Sequence, residues 1–277
     1  MELTNTVADI RVVRQRLTGT VGFVPTMGYL HDGHLTLVRQ ARKENSTVVA
    51  SIYVNPAQFG PREDFGAYPR DLNRDLELLQ KEGTDIVFVP CNEEMYPPRF
   101  SSWVDVEKVT EQLEGASRPG HFRGVATIVA KLFNIVQPTR AYFGQKDAQQ
   151  VAVIKRMVAD LSMGIEIVVV PTVRESDGLA MSSRNVSLNP KEREAATILF
   201  KALTLAGQLY RGGETDAENI RQRMTSLIQK EPLAQIAYVS IADAETLEEL
   251  NLLDQPAVAS LGVKIGRTRL IDNMPLE

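Results

Sequence analysis

The chain contains very little cysteine, tryptophan and histidine, and it has no long apolar run. Its 277 residues include one cysteine, Cys91, one tryptophan and three histidines. A single cysteine cannot form an internal disulfide, which is typical of a reducing compartment. No apolar stretch approaches the roughly 20 residues of a membrane-spanning helix, and the first residues lack the basic and apolar regions of a signal peptide. We therefore expect a cytoplasmic protein without a membrane partner.

An excess of positive charge is also absent. The chain has 31 Lys and Arg residues against 35 Asp and Glu residues, a formal net charge of −4 at pH 7. This balance argues against a broad nucleic-acid-binding surface, so no nucleic-acid partner is expected. The hydrophobic fraction of 43% is typical of a globular protein, and the length suits one large domain or two smaller ones.

Strand and helix patterns alternate along the first 170 residues. Apolar, β-branched runs predict strands at residues 21–25, 46–54, 85–89, 140–143 and 165–170. Helical periodicity separates these runs at residues 6–18, 33–43, 71–82, 125–136 and 148–161. The alternation predicts an α/β fold with a Rossmann-like parallel sheet.

The pattern changes in the last third of the chain. Helices are predicted at residues 191–211 and 215–230, and strands at residues 235–242, 257–263 and 268–272. We therefore predict a nucleotide-binding Rossmann-like catalytic domain at residues 1–175 and a smaller α+β C-terminal lid domain at residues 176–277. Trp103 and the methionines are expected in the core, and Cys91 is expected to be inert.

The most informative feature is the segment His31-Asp32-Gly33-His34. It places two of the three histidines where an apolar run ends in Pro25-Thr26-Met27-Gly28 and a helix begins. A helix N-terminus offers unpaired N–H donors and a partial positive charge, which suits phosphate. Imidazoles there can donate to an oxyanion that gains charge in a transition state. The pattern favours phosphate chemistry over two unrelated surface histidines, and no third ligand in register supports a metal pair.

Other polar segments also follow predicted strands, where ligands bind in such sheets. Gly144-Gln145-Lys146-Asp147 fits either a phosphate and ribose contact or an ordinary turn before a helix. Met181-Ser182-Ser183-Arg184-Asn185 fits either triphosphate oxygens or a solvated loop. Neutral groups that could hydrogen-bond a hydroxyl or carboxylate are Gln58, Tyr68, Gln149 and Gln150. The long loop at residues 55–70 predicts a mobile lid.

Together, six motifs in order resemble the pantoate–β-alanine ligase family, within the nucleotidylyltransferase superfamily that shares the His-x-Gly-His signature. Besides residues 25–34, the motifs lie at residues 54–59, 68–70, 118–125, 143–147 and 178–185. The resemblance covers essentially the whole chain. It implies a two-step reaction in which the carboxylate of pantoate attacks the α-phosphorus of ATP, and the amine of β-alanine then displaces AMP from the acyl adenylate. It also implies Mg²⁺ and a homodimer.

The resemblance also assigns roles by position. His34 is implied as the proton donor, with His31 beside it and Lys146 as the main cation on the phosphates. The implied ATP site comprises Pro25, Thr26, Met27, Gly28, His31, Asp32, Gly33, His34, Gly144, Gln145, Lys146, Asp147, Val173, Met181, Ser182, Ser183 and Arg184. The implied pantoate and β-alanine site comprises Gln58 and Gln150, with Asn55 and Tyr68 at further motif positions; His121 also matches a motif position.

Two departures from related patterns bear on function. Ser183 and Arg184 stand where the loop of class I aminoacyl-tRNA synthetases has lysines, which favours the ligase. Arg74 stands beside Asp75 where some family members have adjacent acids, so ATP and pyrophosphate are expected to supply most Mg²⁺ ligands. Three alternatives remain: another adenylyl- or cytidylyltransferase, a tRNA-charging enzyme, and a non-catalytic nucleotide-binding module. A tRNA-charging enzyme would need a basic RNA surface and an anticodon domain, and the sequence shows neither.

Overall fold

The structure, a computed structural model, describes residues 1–60 and 65–277. Residues 61–64, which belong to the predicted lid at residues 55–70, lie outside the described residues. The chain forms two compact units. The sheet unit contains residues 1–107, 118–144 and 153–171, and the C-terminal unit contains residues 108–117, 145–152 and 172–277. The lid role of the smaller domain stays a prediction.

The sheet unit is built on six parallel strands. They are β1 (Glu2–Thr4), β2 (Val21–Thr26), β3 (Thr47–Ile52), β4 (Ile86–Phe88), β5 (Arg140–Gly144) and β6 (Glu166–Val170). Their order across the sheet is β1-β4-β3-β2-β5-β6. Side chains such as Phe23, Val49 and Phe88 are almost fully buried, because helices cover the faces of a parallel sheet. The predicted Rossmann-like fold is confirmed, and β1 is a strand that the sequence did not predict.

The helices match most of the predicted segments within a few residues. They are α1 (Val7–Arg16), α2 (Asp32–Glu44), α3 (Leu72–Lys81), α4 (Asn92–Met95), α5 (Leu113–Ser117), α6 (His121–Val136), α7 (Ala148–Asp160), α8 (Pro190–Ala195), α9 (Ile198–Arg211) and α10 (Ala217–Ile228). The helix α6 begins at His121 rather than at residue 125 because Gly120 takes a left-handed conformation (φ 82°) immediately before it. No helix in the described ranges has the length and apolar character to cross a membrane.

The C-terminal unit packs helices against a three-stranded antiparallel sheet. Its strands are β7 (Ala234–Asp243), β8 (Ala257–Ile265) and β9 (Thr268–Leu276), in that order. The core includes Leu199, Leu203, Ile220 and Leu261, and burying such side chains contributes about 1.5–3 kcal/mol each. The smaller α+β arrangement is therefore confirmed.

Three further features of the structure differ from the sequence-based expectation. The segment at residues 191–211 forms two helices, α8 and α9, because the chain turns at Ala196 and Thr197, whose hydroxyl donates to Glu194 O at 2.8 Å. The strand predicted at residues 268–272 continues to Leu276. Trp103 is 44% exposed, so its predicted place in the core is wrong; its ring stacks on Tyr96 instead.

Candidate active site

The parallel sheet brings the segments of interest to one edge. Strands β3, β2, β5 and β6 are consecutive neighbours, so their carboxyl ends lie along the same edge of the sheet. The chain leaves this edge after Thr26, Ile52, Gly144 and Val170. All four segments that carry the predicted site residues begin there.

The turn after β2 has an unusual backbone. Gly28 and Tyr29 both have positive φ, at 80° and 52°, and the second is uncommon for a residue with a side chain. Thr26 supports the turn because its Oγ1 accepts from Gly28 N at 3.2 Å and donates to Ser51 O at 2.8 Å. Pro25 is the fifth residue of β2. His31, the residue immediately before α2, has an extended backbone.

His31 and His34 lie against each other at the start of α2. Their ring centroids are 4.0 Å apart at an angle of 40°, and both side chains are half-buried. The backbone N–H of His31 donates to His34 Nδ1 at 3.3 Å. A neutral imidazole with an acceptor at Nδ1 carries its hydrogen on Nε2. His34 therefore has its N–H donor at the ring atom farthest from the backbone, as a phosphate site requires.

Asp32 and Gly33 form the first turn of α2 between the two histidines. The carboxylate of Asp32 pairs with Arg39 at 2.8 Å, and Arg39 also pairs with Glu82 at 2.6 Å. Glu82 lies at the end of α3, whereas Asp32 and Arg39 both belong to α2. The Asp32 side chain is therefore engaged with its own helix. Its contribution to the site therefore comes through the backbone of the helix N-terminus.

Asp75 supports the histidine turn, a role that its position in the sequence did not predict. Its side chain is 1% exposed, and its two carboxylate oxygens accept from Tyr29 N at 2.6 Å and from Leu30 N at 2.8 Å. Burial raises its pKa, although the two backbone N–H groups and Arg74 act to lower it. A signal was present in the sequence, because Asp75 interrupts the apolar stripe of α3 four residues before the buried Leu79.

Arg74 supports the same turn from the other side of Asp75. Its guanidinium donates to Leu30 O at 2.9 Å and lies 5.5 Å from the ring centroid of Tyr29. Both oxygens of Asp75 are already occupied by backbone donors. Across residues 1–60 and 65–277, no three His, Cys, Asp or Glu residues cluster as a metal site. The acid at this position thus holds the backbone of the histidine turn.

A second part of the sheet unit holds Gln58. Residues Pro56–Gln58 form a 3-10 turn after β3. Gln58 is 9% exposed, and its Nε2 donates to Met27 Sδ at 3.1 Å. A thioether is a weak acceptor, so a carboxylate can displace it at little cost. Met27 and Gln58, two of the predicted site residues, are therefore brought together.

Asn55 fixes this turn. Its Oδ1 accepts from Tyr96 Oη at 2.8 Å and from Ala57 N at 3.3 Å, while its Nδ2 donates to Gly124 O at 3.1 Å and to Gln58 Oε1 at 3.2 Å. The buried amide thus uses both hydrogens and its oxygen within the protein. The structure gives Asn55 a clear positioning role, and its direct contact with a substrate stays a prediction.

Tyr68, another predicted site residue, contacts Phe59. The two rings are edge-on, with their centroids 5.9 Å apart.

His121 holds the backbone of Gln58. Its Nε2 lies 3.0 Å from Arg118 Nη1, and its Nδ1 lies 2.8 Å from Gln58 O. A guanidinium only donates, so Nε2 accepts and Nδ1 carries the hydrogen that binds the carbonyl oxygen. The histidine at this motif position thus supports the turn that presents the Gln58 amide.

In the C-terminal unit, Lys146 lines a cavity together with Ser182 and Arg184. Its ammonium lies 3.4 Å from Asp147 Oδ1, and its side chain is 18% exposed. The grouping of one ammonium, one guanidinium and a hydroxyl can bind several phosphate oxygens. The structure therefore brings together residues from two sequence-predicted segments that are 35 or more positions apart.

The loop that carries Ser182 begins on β6 and is folded back on itself. Met181 N donates to Val173 O at 2.9 Å, and Asn185 Nδ2 donates to Ala180 O at 3.1 Å. Ser182 Oγ accepts from Arg184 N at 3.2 Å and caps a 3-10 turn that begins at Ser183. The pairing places Val173 and Met181, both members of the implied ATP site, side by side.

The two adjacent glutamines of α7 differ in their contacts. Gln149 is 7% exposed; its Nε2 donates to Val109 O and Gln112 O, and its Oε1 accepts from Glu114 N, all at 2.8–2.9 Å. Its amide is used to anchor the segment at residues 108–117. Gln150 is half-buried and remains the candidate for substrate binding.

Asp177 and Arg193 offer a test of how the Ser182 loop is anchored. The guanidinium binds both carboxylate oxygens of Asp177, at 2.6 and 3.0 Å. The hydrogen bonds from Arg193 hold the pKa of Asp177 below its ordinary value. A lowered pKa in the folded protein contributes stability above the unfolded value, and this stability is lost as the pH falls through the folded value.

Replacing Asp177 by asparagine is expected to lower the free energy of unfolding by about 0.5–1 kcal/mol at pH 7. The deficit should shrink as the pH falls below about 4, where the unfolded carboxylate is protonated first, and then through the lower pKa of the native carboxylate. Denaturant unfolding at pH 7 and pH 3 measures both values. Asp160→Asn is the control, because its pair with Arg156 is longer, at 3.5 Å, and more exposed. An equal deficit at both pH values would contradict the expectation.

Comparison with known proteins places the chain in one family. A family model described as pantoate-beta-alanine ligase matches residues 2–275. A pantothenate synthetase from Herpetosiphon aurantiacus is 59% identical over 275 residues, or 99% of each chain. A pantothenate synthetase from Roseiflexus castenholzii is 58% identical over 277 residues, which cover both chains completely.

Solved structures agree with the sequence relatives. A crystal structure of pantothenate synthetase from Thermus thermophilus matches with a TM-score of 0.95 at 49% identity, covering 100% of this chain and 99% of that one. A pantoate-beta-alanine ligase from Francisella tularensis, complexed with beta-gamma ATP and beta-alanine, matches with a TM-score of 0.81 at 34% identity, covering 99% and 97%. The chain belongs to the pantoate–β-alanine ligase family.

Proposed function

We propose that this chain joins pantoate to β-alanine at the expense of ATP, through a pantoyl adenylate, and releases AMP and diphosphate. The observation that carries the proposal is the His31–His34 pair at the start of α2, in which Nε2 of His34 carries the hydrogen. A carboxylate is a poor electrophile, so it needs an activated leaving group before an amine can attack it. Adenylation supplies that leaving group.

The first step builds negative charge on the phosphates of ATP. His34 donates to the oxygens of the α-phosphate as pantoate attacks, and His31 lies beside it on the same phosphates. Lys146, Ser182 and Arg184, which line one cavity of the C-terminal unit, bind the β- and γ-phosphates. Gly144, Gln145 and Asp147 contact the ribose and phosphate, while Val173 and Met181 contact adenine.

Pantoate is held by neutral amides. The Gln58 amide faces Met27 Sδ, a weak acceptor, and Gln150 is half-buried in the first turn of α7. Amide hydrogens can bind the hydroxyl and carboxylate groups of pantoate without the full charge of a lysine, which would stabilise the carboxylate as a poorer nucleophile. Gln58 also faces β-alanine in the second step, with Tyr68 at the neighbouring motif position.

Three further points rest on the family pattern. Mg²⁺ enters as the complex with ATP, held by phosphate oxygens, because Asp75 is buried and binds backbone N–H groups and a guanidinium, that of Arg74, stands beside it in place of a second acid. The active form is a homodimer, measurable by sedimentation. The compartment is the cytoplasm, in keeping with the single, exposed cysteine, Cys91.

An assay with substrates omitted in turn tests the proposal. The purified chain is incubated with ATP, Mg²⁺, pantoate and β-alanine, and AMP and the amide product are measured together. Both products should require all three substrates, and pyrophosphate should form with ATP and pantoate alone. Nucleotide transfer without an amide would identify another nucleotidylyltransferase, and ATP binding without AMP would identify a non-catalytic module.

Gly124→Ala tests whether the backbone of the Gln58 turn controls the pantoate site. A Cβ at position 124 would lie 2.7 Å from Gln58 N and closer still to Ala57 O, which is well inside van der Waals contact. The turn must move, so the KM for pantoate should rise roughly ten-fold or more, at a stability cost of about 1–3 kcal/mol. Steady-state kinetics with each substrate varied in turn measures the effect.

Gly164→Ala is the matched control, because nothing lies within 4 Å of a Cβ at that position. It should leave all three KM values unchanged. A Gly124→Ala protein with wild-type KM for pantoate would show that the Gln58 turn does not set the affinity for this substrate.

A further inference from the structure

Asn273 lies in the middle of β9. The proposed reaction gives this residue no role. The side chain is 4% exposed. Its Nδ2 donates to Gln145 O and to Lys146 O, both at 2.9 Å, and its Oδ1 accepts from Gln145 Nε2 at 2.9 Å. One buried amide therefore binds two consecutive carbonyl oxygens and one side chain of the segment that carries Lys146.

These contacts use both hydrogens of the Asn273 amide. Both Nδ2 hydrogens are committed to neighbouring peptide groups, which fixes the plane of each. The two carbonyl groups are part-buried, so losing these partners would leave them incompletely hydrogen-bonded. Residues Gln145–Asp147 form only a short 3-10 turn, which has few internal bonds to hold its backbone. The hydrogen bonds from Asn273 therefore fix the backbone of Gln145 and Lys146.

The preceding residue of β9 anchors the other phosphate-binding segment. Asp272 is 3% exposed and binds Arg174 through both oxygens, at 2.6 and 3.1 Å. Arg174 in turn donates to Gly178 O at 3.0 Å, at the turn that leads to Met181 and Ser182. Asp272 also accepts from the backbone N–H of Asn273 at 2.8 Å. Two consecutive residues of one strand thus hold both segments.

We propose that Asn273 is a positioning residue for the ATP phosphates, acting through the backbone of Gln145 and Lys146, with Asp272 acting likewise on the Ser182 loop through Arg174. The proposal rests on the proposed function, because it assumes that Lys146 binds phosphate. It makes β9 the common support of the cations and hydroxyls that receive the triphosphate. Neither residue touches the substrate.

The test uses a graded pair of substitutions, Asn273→Ser and Asn273→Ala, in the full-length chain. Serine can donate to one of the two carbonyl oxygens, and alanine to neither. The KM for ATP should rise and the rate of adenylation should fall in the order wild type, serine, alanine, reaching roughly ten- to a hundred-fold for alanine. The KM for β-alanine should stay within about two-fold, since pyrophosphate has left before that step.

A stability-matched control separates positioning from general destabilisation. Asp216 caps α10 by accepting from Glu218 N and Asn219 N, at 2.9 and 3.1 Å. Asp216→Ala should lower stability by about 1 kcal/mol without changing the KM for ATP. If the Asn273 variants lose activity only in proportion to their folded fraction, as Asp216→Ala would, the proposal is overturned.

The double variant with Lys146 gives the sharper result. If Asn273 acts through Lys146, then Asn273→Ser in a Lys146→Ala background should change kcat/KM for ATP by less than about two-fold, because coupled residues are not additive. A full multiplicative loss would overturn the proposal. A wild-type chain that forms no AMP would instead reject the proposed function, so the two failures are distinguishable.

Discussion

Replacing His34 by alanine is expected to slow pantoyl-adenylate formation by a factor on the order of 10²–10³, the loss typical of one transition-state donor. The reason lies in its hydrogen-bonding state. His34 Nδ1 accepts from the backbone N–H of His31 at 3.3 Å, which places the ring hydrogen on Nε2, the atom proposed to donate to a phosphate oxygen. Single-turnover formation of pyrophosphate from ATP and pantoate measures the effect directly.

Two further substitutions at position 34 separate catalysis from helix capping. Asparagine can place Oδ1 where His34 Nδ1 lies, so His34→Asn keeps the cap but removes the distal donor. Glutamine can place an amide nitrogen near the position of Nε2, so His34→Gln keeps a donor and loses the cap. We expect asparagine to be as inactive as alanine and glutamine to retain more activity.

The folding of these variants is checked against Thr36→Ala on the same helix. Thr36 Oγ1 donates to Asp32 O at 2.9 Å on the exposed side of α2, so its removal should change neither step of the reaction. A lost cap costs about 1 kcal/mol, too little to unfold the chain. Near-normal adenylation by His34→Asn would contradict the donor role.

The sequence predicts the sheet well because its strands are buried on both faces. Runs such as residues 21–25 and 46–54 are continuous and β-branched, and they become β2 and β3 within two residues at each end. The strand β1 is missed because it has three residues, of which Glu2 and Leu3 are exposed. A strand that short carries no periodicity, and its pairing with β4 is set by tertiary contacts.

The boundary of the C-terminal unit shows another limit of local patterns. Residues 108–117 and 145–152 join this unit although they lie far earlier in the chain. Contacts at long separation attach them: Gln149 binds Val109 O and Gln112 O, and Arg269 pairs with Glu114 at 2.7 Å. Composition and periodicity carry no information about such partners.

The residues of the candidate site fall into two groups that differ in how well the sequence predicts them. Residues that would touch substrate stand in short motifs, and the sequence finds them through residue type and spacing. Residues that position the motifs lie elsewhere in the chain, as Asp75 does for the histidine turn and Asn273 for the Lys146 turn. Only Asp75 left a local signal, as a charge on an apolar helix stripe, and Asn273 left none because a buried strand hides which contacts an amide makes.

Replacing Lys146 by alanine is the second substitution with a large expected effect. The kcat/KM for ATP should fall by a factor on the order of 10²–10³. The side chain is only 18% exposed, so its charge is poorly screened by solvent and acts strongly on a bound phosphate. The charge is held near Asp147 at 3.4 Å, a long contact that leaves other ammonium hydrogens for phosphate oxygens.

The same variant should affect the two half-reactions very differently. Lys146 is proposed to act on phosphates, and the second step begins after pyrophosphate has left. Supplied with preformed pantoyl adenylate and β-alanine, Lys146→Ala should make pantothenate at a rate within roughly ten-fold of wild type, since AMP departure retains His34. Lys146→Arg should restore only part of the first step, because a planar guanidinium replaces a compact ammonium.

Lys155→Ala is the matched control, since it removes an exposed lysine from the helix that follows the Lys146 turn. Its kinetics should equal those of the wild type in both half-reactions. If Lys146→Ala slowed both half-reactions equally, the ammonium would be acting on a group common to the two steps, such as the adenylate phosphate. If it slowed neither, the cavity shared by Lys146, Ser182 and Arg184 would not be the triphosphate site. An ATP-specific loss confined to the first step is the result that a triphosphate site at Lys146, Ser182 and Arg184 predicts.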